Sequence, residues 1–162
     1  MTRSIVSFRN DYSEGAHPAI LEALCRGNTE QESGYGEDGP SRRAADLIRS
    51  HCKTPHAEIH LVSGGTQANL VVCAALLKPF ESIIAAESGH ICVHETGAIE
   101  ATGHKIHPLP HYHGKITADQ IQALAHTHND EHMVRPRMVY LSQSTELGTV
   151  YSKEELITIS RA

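Results

Sequence analysis

Along residues 57–162, short apolar runs alternate with segments in which apolar residues return every three or four positions. That is the alternation of strands and helices. The runs predict strands at Ala57–Val62, Ser82–Ala86, Lys105–Leu109 and Met138–Ser142, and the periodic segments predict helices at Thr66–Leu77, Ile91–Ala101, Thr117–His126 and Ser152–Ala162. Thr117 and Ser152 are read as N-caps, because a hydroxyl there can accept from the unpaired amides of the first turn. Strand–helix units in succession predict an α/β fold of three αβα layers, with a mostly parallel sheet covered on both faces. Ligands of such sheets gather at the carboxyl ends of the strands, here the loops at 63–66, 87–90 and 143–146.

Residues 1–56 are patterned differently, as an N-terminal extended segment and helices ahead of a domain that starts at 57. Ile5–Tyr12 reads as extended, His17–Arg26 as a helix with Pro18 in its first turn, Asn28–Pro40 as a glycine-bearing polar loop, and Gly39–His51 as an amphipathic helix. At the other end, Ser152 opens a helix with Glu154 and Glu155 on its positive pole, yet Ala162 is reached with no C-cap and no following strand. The sheet is therefore expected to be incomplete at the C-terminus.

Between the first expected strand and helix lies Ser63-Gly-Gly-Thr66. Amides at a helix start lack intrahelical partners, the helix dipole favours an anion there, and Gly64 and Gly65 leave the backbone open to it, so Gly64, Gly65 and Thr66 read as a phosphate seat. The competing reading is a tight turn with Thr66 at the helix start. GxGxxG is absent and no lysine follows the glycines, which counts against a dinucleotide fingerprint and a Walker loop. A nucleotide reading would rest on Glu87 as a ribose-binding acid. In the next loop, His90 follows a buried strand and Glu95 comes five residues later. An imidazole at a strand's carboxyl end can stack on an aromatic ligand, with the carboxylate orienting it or sharing its proton. Helix capping by His90 and a solvated Glu95 are the plain alternatives.

Composition narrows the classes. At 162 residues the chain can bury a core. A formal charge of -5 without a Lys/Arg cluster excludes a nucleic-acid surface. No apolar run approaches the roughly 18 residues of a membrane span, and the N-terminus has no signal-peptide pattern, so a cytoplasmic protein without a membrane partner is expected. Cys25, Cys52, Cys73 and Cys92 form no CxxC pair and read as reduced thiols. The pairs His111/His113 and His126/His128 lie in polar sequence with no metal-ligand motif, so solvated histidines and no metal are expected.

Four segments together resemble the threonine aldolase and β-eliminating lyase family of pyridoxal-phosphate enzymes, a branch of the aspartate aminotransferase fold. They are Phe8-Arg-Asn-Asp-Tyr12, Tyr35-Gly-Glu-Asp38, Ser63-Gly-Gly-Thr-Gln-Ala-Asn69 and Gly89-His-Ile…His94-Glu-Thr-Gly97. The resemblance covers essentially the whole chain, as the N-terminal part of the family's large domain. It implies pyridoxal phosphate as cofactor, with Gly65 and Thr66 on its phosphate and His90 stacked on its ring. It implies an amino-acid substrate, with Asn10 and Tyr35 as substrate-side residues and His132 as a second catalytic histidine beside His90 and Glu95. Tyr35 would reach a partner subunit, in a homodimer or homotetramer. Where the family has Glu-Asn-Thr-His-Asn, this chain has Gln143-Ser-Thr-Glu-Leu147, which leaves substrate choice open. As plain alternatives, Tyr35-Gly36 is a turn, Asn10 a strand-edge cap and His132 a loop residue.

This chemistry also needs a lysine to hold the cofactor covalently and a carboxylate facing the ring nitrogen. Lys53, Lys78, Lys105, Lys115 and Lys153 all fall in polar loops or at helix ends. None has the family's lysine context, so cofactor binding by this chain alone is expected to be weak or absent and the chain inactive by itself. The alternatives are a β-eliminating lyase of another amino acid, or a non-catalytic half-domain that works only with a complementary C-terminal half.

Overall fold

The computed structural model describes Ser7, Asn10 and residues 12–162, and the chain divides into two compact units, 1–61 and 62–162. The extended segment expected over 5–12 lies outside the described residues apart from Ser7, Asn10 and Tyr12.

The first unit is built on α1 (Pro18–Gly27) and α2 (Gly39–Cys52). The side chain of His17 caps α1 by accepting from the Ala19 amide at 3.2 Å. Asp38 caps α2, accepting from the Ser41 amide at 2.6 Å, and Lys53 ends it in the left-handed region at φ 54°. Neither helix fully buries a residue. The expected strand at 57–62 is not formed: the segment belongs to no ladder. Its alternation is that of a strand, but a strand is a pairing, and nothing among the described residues offers it a neighbour.

The second unit holds α3 (Gly65–Leu76), β1 (Glu81–Ala86), α4 (His90–Val93), β2 (Ile106–Leu109), α5 (Ala118–Thr127), β3 (Arg135–Val139) and α6 (Lys153–Arg161). The three strands form a parallel sheet in the order β2-β1-β3. Every residue of the central strand β1 is buried, and alternate side chains serve opposite faces. Ile84 and Ala86 pack with Ile116, Ile121 of α5, Tyr151 and Ile159 of α6. Ile83 and Ala85 pack with Cys73 of α3, Leu77, Ile91 and Ile99. A sheet between two helical layers follows, as the alternation predicts.

Two further elements and one side chain differ from expectation. The helix expected over 91–101 is a single turn, α4, followed by Thr96 and Gly97 at φ 55° and 77° and then a 3₁₀ turn at Glu100–Thr102. Two successive left-handed residues cannot continue a right-handed helix. The last strand begins at Arg135 instead of Met138. Pro136 was no obstacle, because β3 is an edge strand and a missing N–H on its outer side costs no ladder bond. Finally, His128 is not simply solvated. Its Nδ1 lies 3.1 Å from the Leu124 carbonyl oxygen, and its ring meets the His107 ring edge-on with centroids 4.6 Å apart. Thr117 and Ser152 cap α5 and α6 as expected, each in a reciprocal box with the residue three further on.

His107 is 6 % exposed, and its Nε2 lies 3.0 Å from the hydroxyl of the buried Ser82. Burial, and then the neighbouring His128 and Lys105, push its pKa below the ordinary value. The unfolded chain therefore binds the proton more readily, and stability is lost as pH falls from about 6.5 towards the lowered value. Above that window His107 contributes no pH dependence. The carboxyls held below their usual range, Asp38 and Glu155, act only at more acid pH. Urea midpoints followed by circular dichroism are expected to fall between pH 7 and 5.5 in the wild type, with a smaller fall in His107→Gln.

Candidate active site

Only a few residues separate α3 from β1, so helix and strand run antiparallel and the start of α3 lies towards the carboxyl end of β1. No side chain caps α3. Instead the Gln67 side chain turns back and accepts from the Ser63 amide and hydroxyl, at 2.7 and 2.8 Å. The first amides of the helix are thereby left facing outward. A Cβ built on Gly64 or Gly65 meets nothing within 4 Å, and neither residue lies in the left-handed region, Gly64 being extended at φ 173°. The fold itself makes no steric demand for glycine here. Gly89 is the opposite case, since its Cβ would come within 2.9 Å of the Ala86 carbonyl oxygen.

His90 sits just past β1 as the first residue of α4. Its Nδ1 is 2.8 Å from Glu95 Oε1, and the same oxygen accepts from Asn69 Nδ2 of α3 at 2.6 Å. An ionised Glu95 can only accept, so Nδ1 carries the hydrogen and Nε2 is left as the open ring nitrogen. The Glu95 side chain is fully buried, whereas that of His90 is 44 % exposed. The carboxylate is thus a fixed mount inside the protein, and the imidazole stands at the surface it supports. Two buried polar atoms of this loop, Ser88 Oγ and Glu95 Oε2, have no hydrogen-bond partner among the described residues. Such atoms are costly unless a further group meets them.

A third loop joins in. The His90 amide donates to Glu146 Oε1 at 2.8 Å, and the Ser142 hydroxyl donates to the same oxygen. Gln143 holds this loop in place by bonding both the amide and the carbonyl of Tyr151, at 2.9 and 3.0 Å. The 143–146 loop lies at a strand end, as the strand pattern predicts, but no motif in the sequence marks Glu146. The available signal was its position after β3, in register with the loop that carries His90.

The structure therefore brings together Gly64, Gly65, Thr66, His90 and Glu95, and adds Asn69 and Glu146. It does not bring His132 to them. His132 lies on an exposed turn just before β3, its amide bonded to Asp130 at 2.8 Å, while His90 follows β1. In a parallel sheet those are opposite edges, about 15 Å apart for strands of this length. Asn10 and Tyr35 belong to the first unit. Asn10 Oδ1 accepts from the Tyr12 amide at 3.3 Å and from the Ser13 hydroxyl. Tyr35 and Gly36 both have positive φ, 63° and 79°, within a turn closed by the Glu37 amide on the Gly34 carbonyl at 3.3 Å, and the Tyr35 ring is fully exposed. Of the lysines in the second unit, Lys78 and Lys105 precede β1 and β2, at the far edge of the sheet. Lys115 pairs with Glu155 at 2.8 Å, and Lys153 opens α6.

The uncapped, glycine-opened start of α3 and the carboxylate-mounted imidazole of His90 thus belong to one α/β domain and are joined through Glu95. Residues 7–162 match the model of the beta-eliminating lyase family, and the chain belongs to that family, which is pyridoxal-phosphate-dependent. The chain is 35% identical over 162 residues to a low specificity L-threonine aldolase of Pseudomonas aeruginosa, covering 99% of this chain and 46% of that protein. It is 33% identical to a protein of the same description from a Pseudomonas species, with the same coverage. A solved threonine aldolase of Leishmania major superposes with a TM-score of 0.91 at 49% identity, covering 94% of this chain and 44% of that one. The chain thus spans just under half the length of these relatives. Among the described residues, no helix is long and apolar enough to cross a membrane.

The contrast between glycines has a direct consequence. Gly89→Ala is expected to destabilise the protein by about 1–3 kcal/mol through its backbone clash. Gly65→Ala, in helical geometry with open space, should change stability by less than about 1 kcal/mol in either direction. Thermal unfolding of the two variants distinguishes a glycine required by packing from one the fold does not need.

Proposed function

We propose that this chain carries the phosphate cup and ring platform of a pyridoxal-phosphate-dependent lyase acting on a β-hydroxy amino acid, with threonine aldolase-like cleavage of the Cα–Cβ bond. One observation carries this reading: a single buried oxygen, Glu95 Oε1, ties Asn69 on the helix that opens at Gly64–Thr66 to the ring of His90. Cup and platform are thereby one rigid assembly.

The residues fit the cofactor on three counts, namely the uncapped amides of α3, the glycines the fold does not require, and the unpartnered buried atoms beside His90. The amides of Gly65 and Thr66, with the Thr66 hydroxyl, would hold the phosphate at the positive end of α3. His90 would lie against the ring, its plane fixed by Glu95 through Nδ1, and its Nε2 would be the atom able to take or give a proton near the substrate. When bound, the cofactor's ring supplies an electron sink for the bond being cleaved. Asn10 and Tyr35 are proposed on the substrate side, the latter on a turn that presents its ring uncovered. His132, at the other end of the sheet, is not included in the site proposed for this chain.

A lysine and a carboxylate for the cofactor's other end belong to the reaction, and none of the lysines in the second unit lies at the His90 loop. The chain alone is therefore expected to hold 4′-deoxypyridoxine 5′-phosphate, which needs no lysine, only weakly, and to lose about tenfold or more of that affinity as Gly65→Val. With pyridoxal phosphate and borohydride it should yield no pyridoxyl-lysine, and with L-threonine no acetaldehyde. Titration, mass spectrometry and a coupled aldehyde assay read the three outcomes. A stoichiometric adduct on one lysine would refute the assignment of this chain as the lysine-free part of the site. Failure of the wild type to bind the probe would refute the cup.

A further inference from the structure

We infer that Glu146 is a positioning residue for the ring platform, acting on His90 through its backbone. The ligand-side part of this inference rests on the pyridoxal-phosphate reading above; the structural part does not.

His90 is held at three points. Its ring is fixed by Glu95 through Nδ1 at 2.8 Å, its carbonyl accepts from the His94 amide at 2.9 Å, and its amide donates to Glu146 Oε1 at 2.8 Å. The first two come from its own loop, 87–97. The third comes from the loop after β3, across the sheet edge. α4 is only four residues long and has no side-chain cap of its own, so the Glu146 carboxylate does for it what an N-cap does for a longer helix. Without that contact the first turn of α4 would rely on the bonds of its own loop, from the Cys92 amide to the Gly89 carbonyl at 2.8 Å and from the His94 amide to the His90 carbonyl at 2.9 Å.

Glu146 is itself firmly mounted. The Ser142 hydroxyl donates to its Oε1, and the preceding Thr145, which is 4 % exposed, pairs with Thr149 through its amide at 2.8 Å and its hydroxyl at 2.8 Å. Thr149 in turn donates to the His113 carbonyl at 2.6 Å. Gly114 completes the support, with φ +84° and so little room that a Cβ would come within 2.6 Å of Thr145 Oγ1. Loops from the ends of β2 and β3 are thus locked together behind Glu146. A carboxylate on a rigid mount accepting from one amide of a neighbouring loop sets the position of that loop.

The test uses the full 162-residue chain and two independent readouts. In the ligand-free protein, the hydrogen on His90 Nδ1, shielded by Glu95, should give an imidazole proton signal that exchanges slowly with water. Glu146→Gln retains a carbonyl acceptor for the His90 amide and should keep that signal. Glu146→Ala should speed its exchange by about tenfold, in step with the loss of one charge-assisted hydrogen bond. Ser142→Ala, which removes the brace and leaves Glu146 in place, should act in the same direction by a smaller factor and serves if Glu146→Ala fails to fold. Unchanged exchange in a folded Glu146→Ala, or in Ser142→Ala when the alanine variant at 146 does not fold, overturns the inference whether or not any ligand binds. In the second arm, affinity for 4′-deoxypyridoxine 5′-phosphate should fall about tenfold in Glu146→Ala and recover in Glu146→Gln. Loss of the exchange protection with wild-type binding absent would sink the cofactor reading and leave the positioning role standing. Protection unchanged with binding intact would do the reverse.

Discussion

A carboxylate with no exposed surface is an expensive thing to keep in a protein, and Glu95 is the one on which this site depends. It is tolerable only because its Oε1 is met by Asn69 and His90 together, and those two donors come from elements that the chain otherwise keeps apart. One is on the helix that leaves the glycine turn, the other on the loop that leaves the central strand. Meeting at a single oxygen, they hold the helix start and the imidazole in a fixed relation.

The sheet sets the direction of everything else. Because β1 is central and wholly buried, its carboxyl end is a protected place from which a loop can emerge with both helical layers beside it. Glu146 reaches that loop from β3, and Thr149 reaches back towards the loop after β2, so all three strand ends contribute to one edge. The opposite edge carries Lys78, Lys105 and His132, in polar turns.

Family membership and local geometry support each other without being the same argument. The family match spans residues 7–162 and would stand whatever the details of the loops. The glycine test is independent of it: packing requires Gly89 and Gly114, whereas Gly64 and Gly65 face open space. Glycines with no job inside the fold, at the start of an uncapped helix, point to something that approaches from outside.

Much of this was legible in the sequence. The apolar runs and caps placed β1, β2, α3, α5 and α6 to within a residue or two, because period and capping chemistry are local properties. The glycine turn, His90 and Glu95 were legible as chemistry, since residue type and strand-end position suffice to nominate them. Three things were decided only in the tertiary structure. Residues 57–62 have a strand's pattern but no ladder, because a strand needs a partner that no local pattern supplies. His132 falls at the far edge because the direction of β3 and its place beside β1 put it there. And the role of Glu146, a single glutamate in a polar loop, became visible only when the fold carried its carboxylate to an amide 56 residues away in the chain, for a hydrogen bond between distant loops leaves no periodic trace in a sequence.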